Sequence, residues 1–498
     1  MPSRLFEKKP LAELLSEAQG EHRLRRVLGP VSLTSLGVGA IIGAGIFVLT
    51  GIAAHDVAGP ALVVSFVVAG ATCVFAALCY AELAAMVPIA GSAYTYAYAT
   101  LGALLAWIIG WDLILEYAVG AAAVAHGWSH YLQDLLGIIG LHVPAVIANA
   151  PFDYDPVTER VTSTGALVDL PALVAAGAAT VVLIVGVRES ARANTAAVIL
   201  KVAVVLFVIV VGAFAVNAAN WHPFAPFGMG GLSLFGKPLF GRGGGGQPRG
   251  MLAGAAMVFF AYIGFDAVST HAEEAKEPRR DLPIAIIGSL AICTALYIAV
   301  SIVLTGMVRY DRLDVDAPLS SAFAAVGMPW AHAIVSIGAL AGISSVLLVL
   351  MLSQPRILMA MARDGFLPRS FFAAVHARYR TPWKSTIATG AFVGLMAAFL
   401  PLRVLAELVN IGTLLAFLIV CTAVLVMRRT HPEVERPFRV PFVPLVPVLG
   451  IVSCLVLMLS LPAENWLRLV AWFLVGLVVF FGYGRRHRTP SPPVARER

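Results

Sequence analysis

Between residues 31 and 484 the chain consists of apolar runs, each about twenty residues or longer, separated by short polar connections. That pattern restricts the fold more than any other feature, because a helix needs ~20 mostly apolar residues to cross a bilayer. Twelve runs fit, at 31–55, 60–87, 93–127, 169–187, 195–216, 250–271, 282–307, 330–361, 382–400, 403–428, 441–461 and 465–484. The third and eighth are long enough to tilt in the bilayer or project from it. Only 13% of the 498 residues are charged, 59% are hydrophobic and the mean hydropathy is +0.86; soluble proteins are about a quarter charged. These figures exclude a soluble multidomain protein and a disordered chain. They leave an all-α polytopic membrane protein.

The first thirty residues stay polar to Leu28, without the apolar core of a cleavable signal. LAELLSEAQ at 11–19 reads as an amphipathic turn or two on the inner membrane surface, where Arg23, Arg25 and Arg26 meet anionic lipid. Basic residues accumulate on the cytoplasmic side of membrane proteins. With the N-terminus inside, cytoplasmic segments hold 26 of the 35 Lys and Arg, including Arg188, and external segments hold 8. Lys201 alone is assigned to neither side, the others lying in connections or toward span ends. Both termini are therefore expected in the cytoplasm of a cell-membrane protein, and the net charge of +7 is a topology signal rather than a mark of a nucleic-acid partner. The five cysteines all fall in apolar runs and lack metal-binding spacing, so neither disulfides nor a metal are expected.

In hydrocarbon, irregular backbone is tolerated only where it borders a cavity or is buried in protein. Two runs carry signs of a break. The first reads SLGVGAIIGAGIFVLTG, with Gly37, Gly39, Gly43, Gly45 and Gly51, and the sixth reads MVFFAYIGFDAVST, with Gly264 followed by Asp266. Close packing through Gly39-x-x-x-Gly43 explains the first run equally well when it is taken alone. The pair is more telling, since interrupted helices at corresponding positions of two halves mark an inverted-repeat transporter. Free amides at one half-helix attract an anion and free carbonyls attract a cation, which suits an α-amino acid zwitterion with no charged side chain needed.

GAIIGAGIF at 39–47, FFAYIGFDAVSTHAEEAKEPRRDLP at 259–283, QPRILMAMARDGFLP at 354–368 and the lysine of ILKVAVV at 199–205 resemble the amino acid–polyamine–organocation transporter superfamily, in its bacterial cationic-amino-acid-transporter-like branch. The resemblance covers roughly 22–484. It implies a LeuT-type 5+5 inverted repeat: a ten-helix core at 31–428, made of repeats 31–216 and 250–428, with two peripheral helices at 441–484. Residues 1–30 and 485–498 would be cytoplasmic. By the same resemblance the substrate carboxylate would meet the backbone of Gly43, Ala44 and Gly45. The amine would meet carbonyls near Ile41, Phe260, Ala261 and Ile263, and Phe260 would stack over the substrate. Taken alone, Phe259 and Phe260 read as ordinary packing residues.

An ionisable residue inside a span costs several kcal/mol and is a functional candidate. Lys201 also has a plainer reading, a side chain snorkelling to the interface. The resemblance implies that its ammonium occupies the place of a coupling sodium, beside the carbonyls of Gly39 and Ile42 and the hydroxyls of Ser344 or Ser345, so that a proton is the coupling ion and no cofactor is required. Glu116, with Asp112 on the same face of the third span, reads as a protonated carboxyl near the site, a relay member or a carboxyl satisfied by a neighbouring helix, and Asp266, also a proton-coupling candidate, as paired with backbone or hydroxyl groups of the broken sixth segment. Glu82 and Glu407 are read as structural, and His126 and His130 as interfacial. Glu273, Glu274, Lys276, Arg279, Arg280 and Asp281 form either a gate with Arg356, Arg363 and Asp364 or a solvated loop.

The run VLLVLML at 346–352 is aliphatic, and a bulky Leu350 at the far end of a pocket favours small neutral amino acids such as alanine, serine and threonine. Transport of cationic amino acids and obligate exchange remain open alternatives. A channel lacks its polar lining here, and an enzyme lacks a nucleophile or metal set. The partners expected are an amino acid and the bilayer, with a small single-span membrane subunit as the one protein partner considered.

Overall fold

The computed structural model describes residues 7–10, 28–87, 92–155, 160–185, 191–234, 237–240, 248–379 and 381–487. The segment 11–19, Arg23, Arg25, Arg26 and Arg188 lie outside the described residues.

The structure is a bundle of helices: α1 (Pro30–Ile41), α2 (Leu62–Met86), α3 (Ala103–Ile138), α4 (Leu170–Val185), α5 (Ala191–Ala213), α6 (Met251–Val258), α7 (Pro278–Met307), α8 (Pro329–Arg363), α9 (Trp383–Phe399), α10 (Leu402–Thr430), α11 (Leu445–Leu459) and α12 (Ala463–Val479). Seven helical stretches among the described residues are long and apolar enough to cross a membrane, and four further apolar helices are shorter. The described residues are mostly helical, as expected. Two antiparallel hairpins stand in the connections, β1 (Phe152–Asp155) with β2 (Arg160–Ser163) and β3 (Leu232–Leu234) with β4 (Lys237–Phe240).

Small residues let the helices approach closely, as expected where apolar burial does not distinguish protein from lipid. A Cβ on Gly338 of α8 would collide with Val204 of α5, and one on Gly390 of α9 with Thr180 of α4. The third apolar run ends later than its sequence indicates, because α3 continues past Gly127 to Ile138. The polar side chains of that extension are satisfied by other elements. His126 Nδ1 lies 3.0 Å from Asp169, His130 Nδ1 lies 3.2 Å from Asp316, and Asp134 pairs with His332 at 2.8 Å.

At the periphery, α12 is joined to α3 by reciprocal indole bonds. Trp111 Nε1 donates to Trp472 O at 2.9 Å, and Trp472 Nε1 donates to Trp111 O at 3.2 Å. The acids read as structural are ion-paired: Glu82 with Arg428 at 2.6 Å and Glu407 with Arg403 at 3.0 Å. On the face that carries the N-terminal segment, Lys9 pairs with Asp364 at 2.9 Å and Tyr94 Oη donates to the same carboxylate at 2.6 Å. Asp364 is thus tied to Lys9 and Tyr94. In the loop after the sixth run, Arg356 meets Glu274 at 3.7 Å, while exposed Arg279 turns to Glu435 at 3.3 Å.

Candidate functional site

The two glycine-marked runs break opposite one another. α1 ends at Ile41. Ile42 is extended (φ −73°, ψ 102°), and the chain resumes as a π-helical turn at Gly45–Leu49. In the sixth run, α6 passes into a 3-10 turn at Phe259–Tyr262 and then breaks at Ile263 (ψ 136°) and Gly264 (φ +113°). A second 3-10 segment follows at Asp266–Glu274. Glycine is required here on two counts. At Gly264 the left-handed φ disfavours any side chain, and a Cβ would also lie 2.9 Å from the carbonyl oxygen of Ala40. At Gly45 an added Cβ would fall onto the backbone of Ala261.

A buried pocket lies between the breaks. Ala40, Ile41, Gly43, Ala44 and Gly45 supply one wall, and Phe260 and Ile263 supply the second. Gly120 and Val124 of α3 and Val346 and Leu350 of α8 close the remainder. The first amides of a helix have no acceptor within it, so the turn beginning at Gly43–Gly45 presents N–H groups at the pocket. Among the described residues no charged side chain lines it. Ala261 stands behind this wall instead, packed on Gly45. Its carbonyl and that of Ile41 both lie 2.9 Å from the hydroxyl of Tyr297 on α7. Tyr297, an aromatic in an apolar run, carries no local signal of this role.

Lys201 is 1% exposed, so it is buried rather than snorkelling. Its ammonium donates to Gly39 O at 2.5 Å, and its stem passes Gly342 of α8. The serines expected beside it have hydrogen bonds of their own. Ser344 Oγ donates to Leu340 O and receives the Trp128 indole N–H at 2.8 Å, and Ser345 Oγ donates to Gly342 O. Serines inside helices commonly bond back to the preceding turn in this way.

Glu116 lies in a π-helical turn of α3, Leu115–Val119, one turn from Gly120. It is 1% exposed and stands beside Asp266 and Thr413. Asp266 is fully buried and accepts a hydrogen bond from the hydroxyl of Tyr117, 2.6 Å away. Asp266 is thus met by a hydroxyl of α3 as well as by backbone of its own broken segment at Ala267.

A charge-free pocket held between two broken helices, deep in a bundle of membrane-length helices, defines a multi-pass membrane transporter. Comparison with known proteins makes the class specific. The profile of the family described as "Amino acid permease" matches residues 28–495, and the chain belongs to that family, within the amino acid–polyamine–organocation superfamily. It is 47% identical to the methylthioribose transporter of Bacillus subtilis, over 97% of this chain and 99% of the relative. It is 45% identical to the branched-chain amino acid permease BcaP of the same organism, over 98% and 99%. It is 40% identical to the vacuolar cationic amino acid transporter 4 of Arabidopsis thaliana, over 84% and 66%. The family transports and does not catalyse a reaction.

Proposed function

We propose that the protein imports neutral L-amino acids with short or branched aliphatic side chains, alanine, serine and threonine among them, by proton symport. The observation that carries this reading is a pocket lined by backbone, aliphatic side chains and the ring of Phe260, with Lys201 bonded to α1 beside it. The amides of Gly43–Gly45 suit the substrate carboxylate, and the carbonyls around Ile41, Phe260 and Ile263 suit its ammonium, with Ala261 backing the wall. Phe260 covers it. Arginine or lysine would need an anionic partner at the far end, where Leu350 stands.

In this reading Lys201 takes the place of a coupling sodium, and Glu116 and Asp266 relay the proton. The chain crosses the cell membrane twelve times as a LeuT-type 5+5 repeat, with α11 and α12 peripheral and the N-terminal face in the cytoplasm. A second reading, a neutral sugar thioether as solute, has the likeness to the methylthioribose transporter and the same charge-free lining in its favour. Labelled L-alanine uptake into proteoliposomes tests both, with and without an inward proton gradient and with leucine, arginine or methylthioribose as competitors. Gradient-driven, sodium-indifferent uptake blocked by leucine supports amino acid symport. Uptake only into amino-acid-loaded vesicles makes the protein an exchanger, and block by methylthioribose alone favours the second reading.

A further inference from the structure

Gly120 and Leu350 meet across the pocket, so closely that a Cβ on Gly120 would lie 3.8 Å from Leu350 Cδ1. They form its floor on the side of the N-terminal face, toward which α8 descends to Asp364 and from which α3 rises. One helical turn below that floor, on the same two helices, stand Glu116 and Gln354. Both are 1% exposed. Neither amide atom of Gln354 closes a hydrogen bond, and the Glu116 carboxyl stands beside Asp266 and Thr413. Pro355 follows immediately inside α8 and has no N–H to give to Met351 O, so a backbone acceptor is released at the same level. The π-helical turn that carries Glu116 is a local irregularity of the kind found at functional sites.

A buried polar group without a partner costs about 1–3 kcal/mol, and a transmembrane bundle can replace such a glutamine with an aliphatic residue. We infer that Gln354 and Glu116 form a second polar station for the solute, below the Leu350–Gly120 floor, occupied as it leaves the pocket toward the N-terminal face. The ligand class is the zwitterionic end of an amino acid. The Gln354 amide offers donors to its carboxylate, and the oxygens of Glu116 and of the amide offer acceptors to its ammonium. The inference rests on the amino acid reading of the pocket. It adds a positioning role for Gln354, which touches nothing in the pocket itself.

The test is uptake kinetics of labelled L-alanine in proteoliposomes of the full chain under a fixed inward proton gradient, together with thermal unfolding. Gln354→Met keeps the length of the side chain and removes its polarity. It is expected to lower kcat about tenfold with KM unchanged within about twofold, the pattern of a step after binding. It should also raise the melting temperature, while Gln354→Asn retains most of the rate. Unchanged kinetics in Gln354→Met, or a lower melting temperature with unchanged kinetics, would make Gln354 a packing residue and overturn the station. Loss of the gradient response would overturn it too, by assigning the amide to the proton path. A wild type that moves neither alanine nor leucine sinks the amino acid reading of the pocket, and this inference with it.

Discussion

The ammonium of Lys201 donates to the carbonyl oxygen of Gly39 at 2.5 Å, joining two residues 162 positions apart in sequence. Gly39 lies one turn before the break in α1, so this bond ties α5 to the helix whose free backbone lines the pocket. Burial disfavours the charged ammonium, and this carbonyl acceptor favours it. A change of shape that separates the two helices removes that support. Lys201→Ala is accordingly expected to abolish the response of uptake to a proton gradient while leaving counterflow between loaded vesicles. Counterflow and gradient-driven uptake measured on the same preparation check this. A variant that still concentrates alanine on a proton gradient removes Lys201 from the coupling.

Gly45 sits where the second half of the first broken helix meets the second break. A methyl group there would overlap the backbone of Ala261, which no side-chain rotation relieves. Overpacking of this kind costs typically 1–3 kcal/mol. Gly45→Ala should therefore lower the melting temperature and abolish uptake, and Gly127→Ala serves as a control. There the nearest atom to an added Cβ is a Val48 methyl at 3.1 Å, a side-chain atom with some freedom to move. Equal uptake in the two variants would mean that the breaks do not hold the solute.

The positions of the breaks were legible because glycine in an apolar run is a local signal, and Lys201 was legible because charge in such a run is one too. Gly120, Val124, Tyr297 and Gln354 were not. Each acts through the helix that it faces, and nothing in the sequence says which helix that is. The hydroxyls of Ser344 and Ser345 donate to the preceding turn of their own helix, a bond that no pattern in the sequence announces. His126 and His130 looked like interfacial residues for a similar reason. Their partners Asp169 and Asp316 come from segments far along the chain.

The pair formed by His130 and Asp316 attaches the connection between α7 and α8 to the end of α3. The His130 imidazole holds the Asp316 carboxyl below its ordinary value. A carboxyl depressed on folding adds stability that is full above its unfolded value of about 3.9, and that stability is lost as pH falls through the lower folded value. Asp316 is 68% exposed, so solvent screening keeps the contribution under ~1 kcal/mol. Asp316→Asn should melt slightly below wild type at pH 5–6. The gap should close in strong acid, and close again at alkaline pH where the imidazole gives up its proton. Melting curves across that range decide it, and a gap independent of pH would show a contact that does not depend on charge.

Leu350 and Gly120 together set the depth of the pocket, and they make opposite predictions for selectivity. Leu350→Val shortens a floor residue without opening a full cavity, and should admit longer aliphatic solutes at the expense of alanine. Gly120→Ala places a methyl 3.8 Å from Leu350 Cδ1, an ordinary contact for the fold but a loss of room for the solute. It should therefore reduce leucine uptake before alanine uptake. One methylene in an apolar pocket is worth about 1–3 kcal/mol, roughly 10–200-fold in discrimination. The ratio of leucine to alanine kcat/KM should rise in the first variant and fall in the second. Because the two residues approach from different helices, a general loosening of either helix would move both solutes together. Parallel changes in alanine and leucine uptake would place the specificity floor elsewhere, whereas opposite changes would locate it at this contact between α3 and α8.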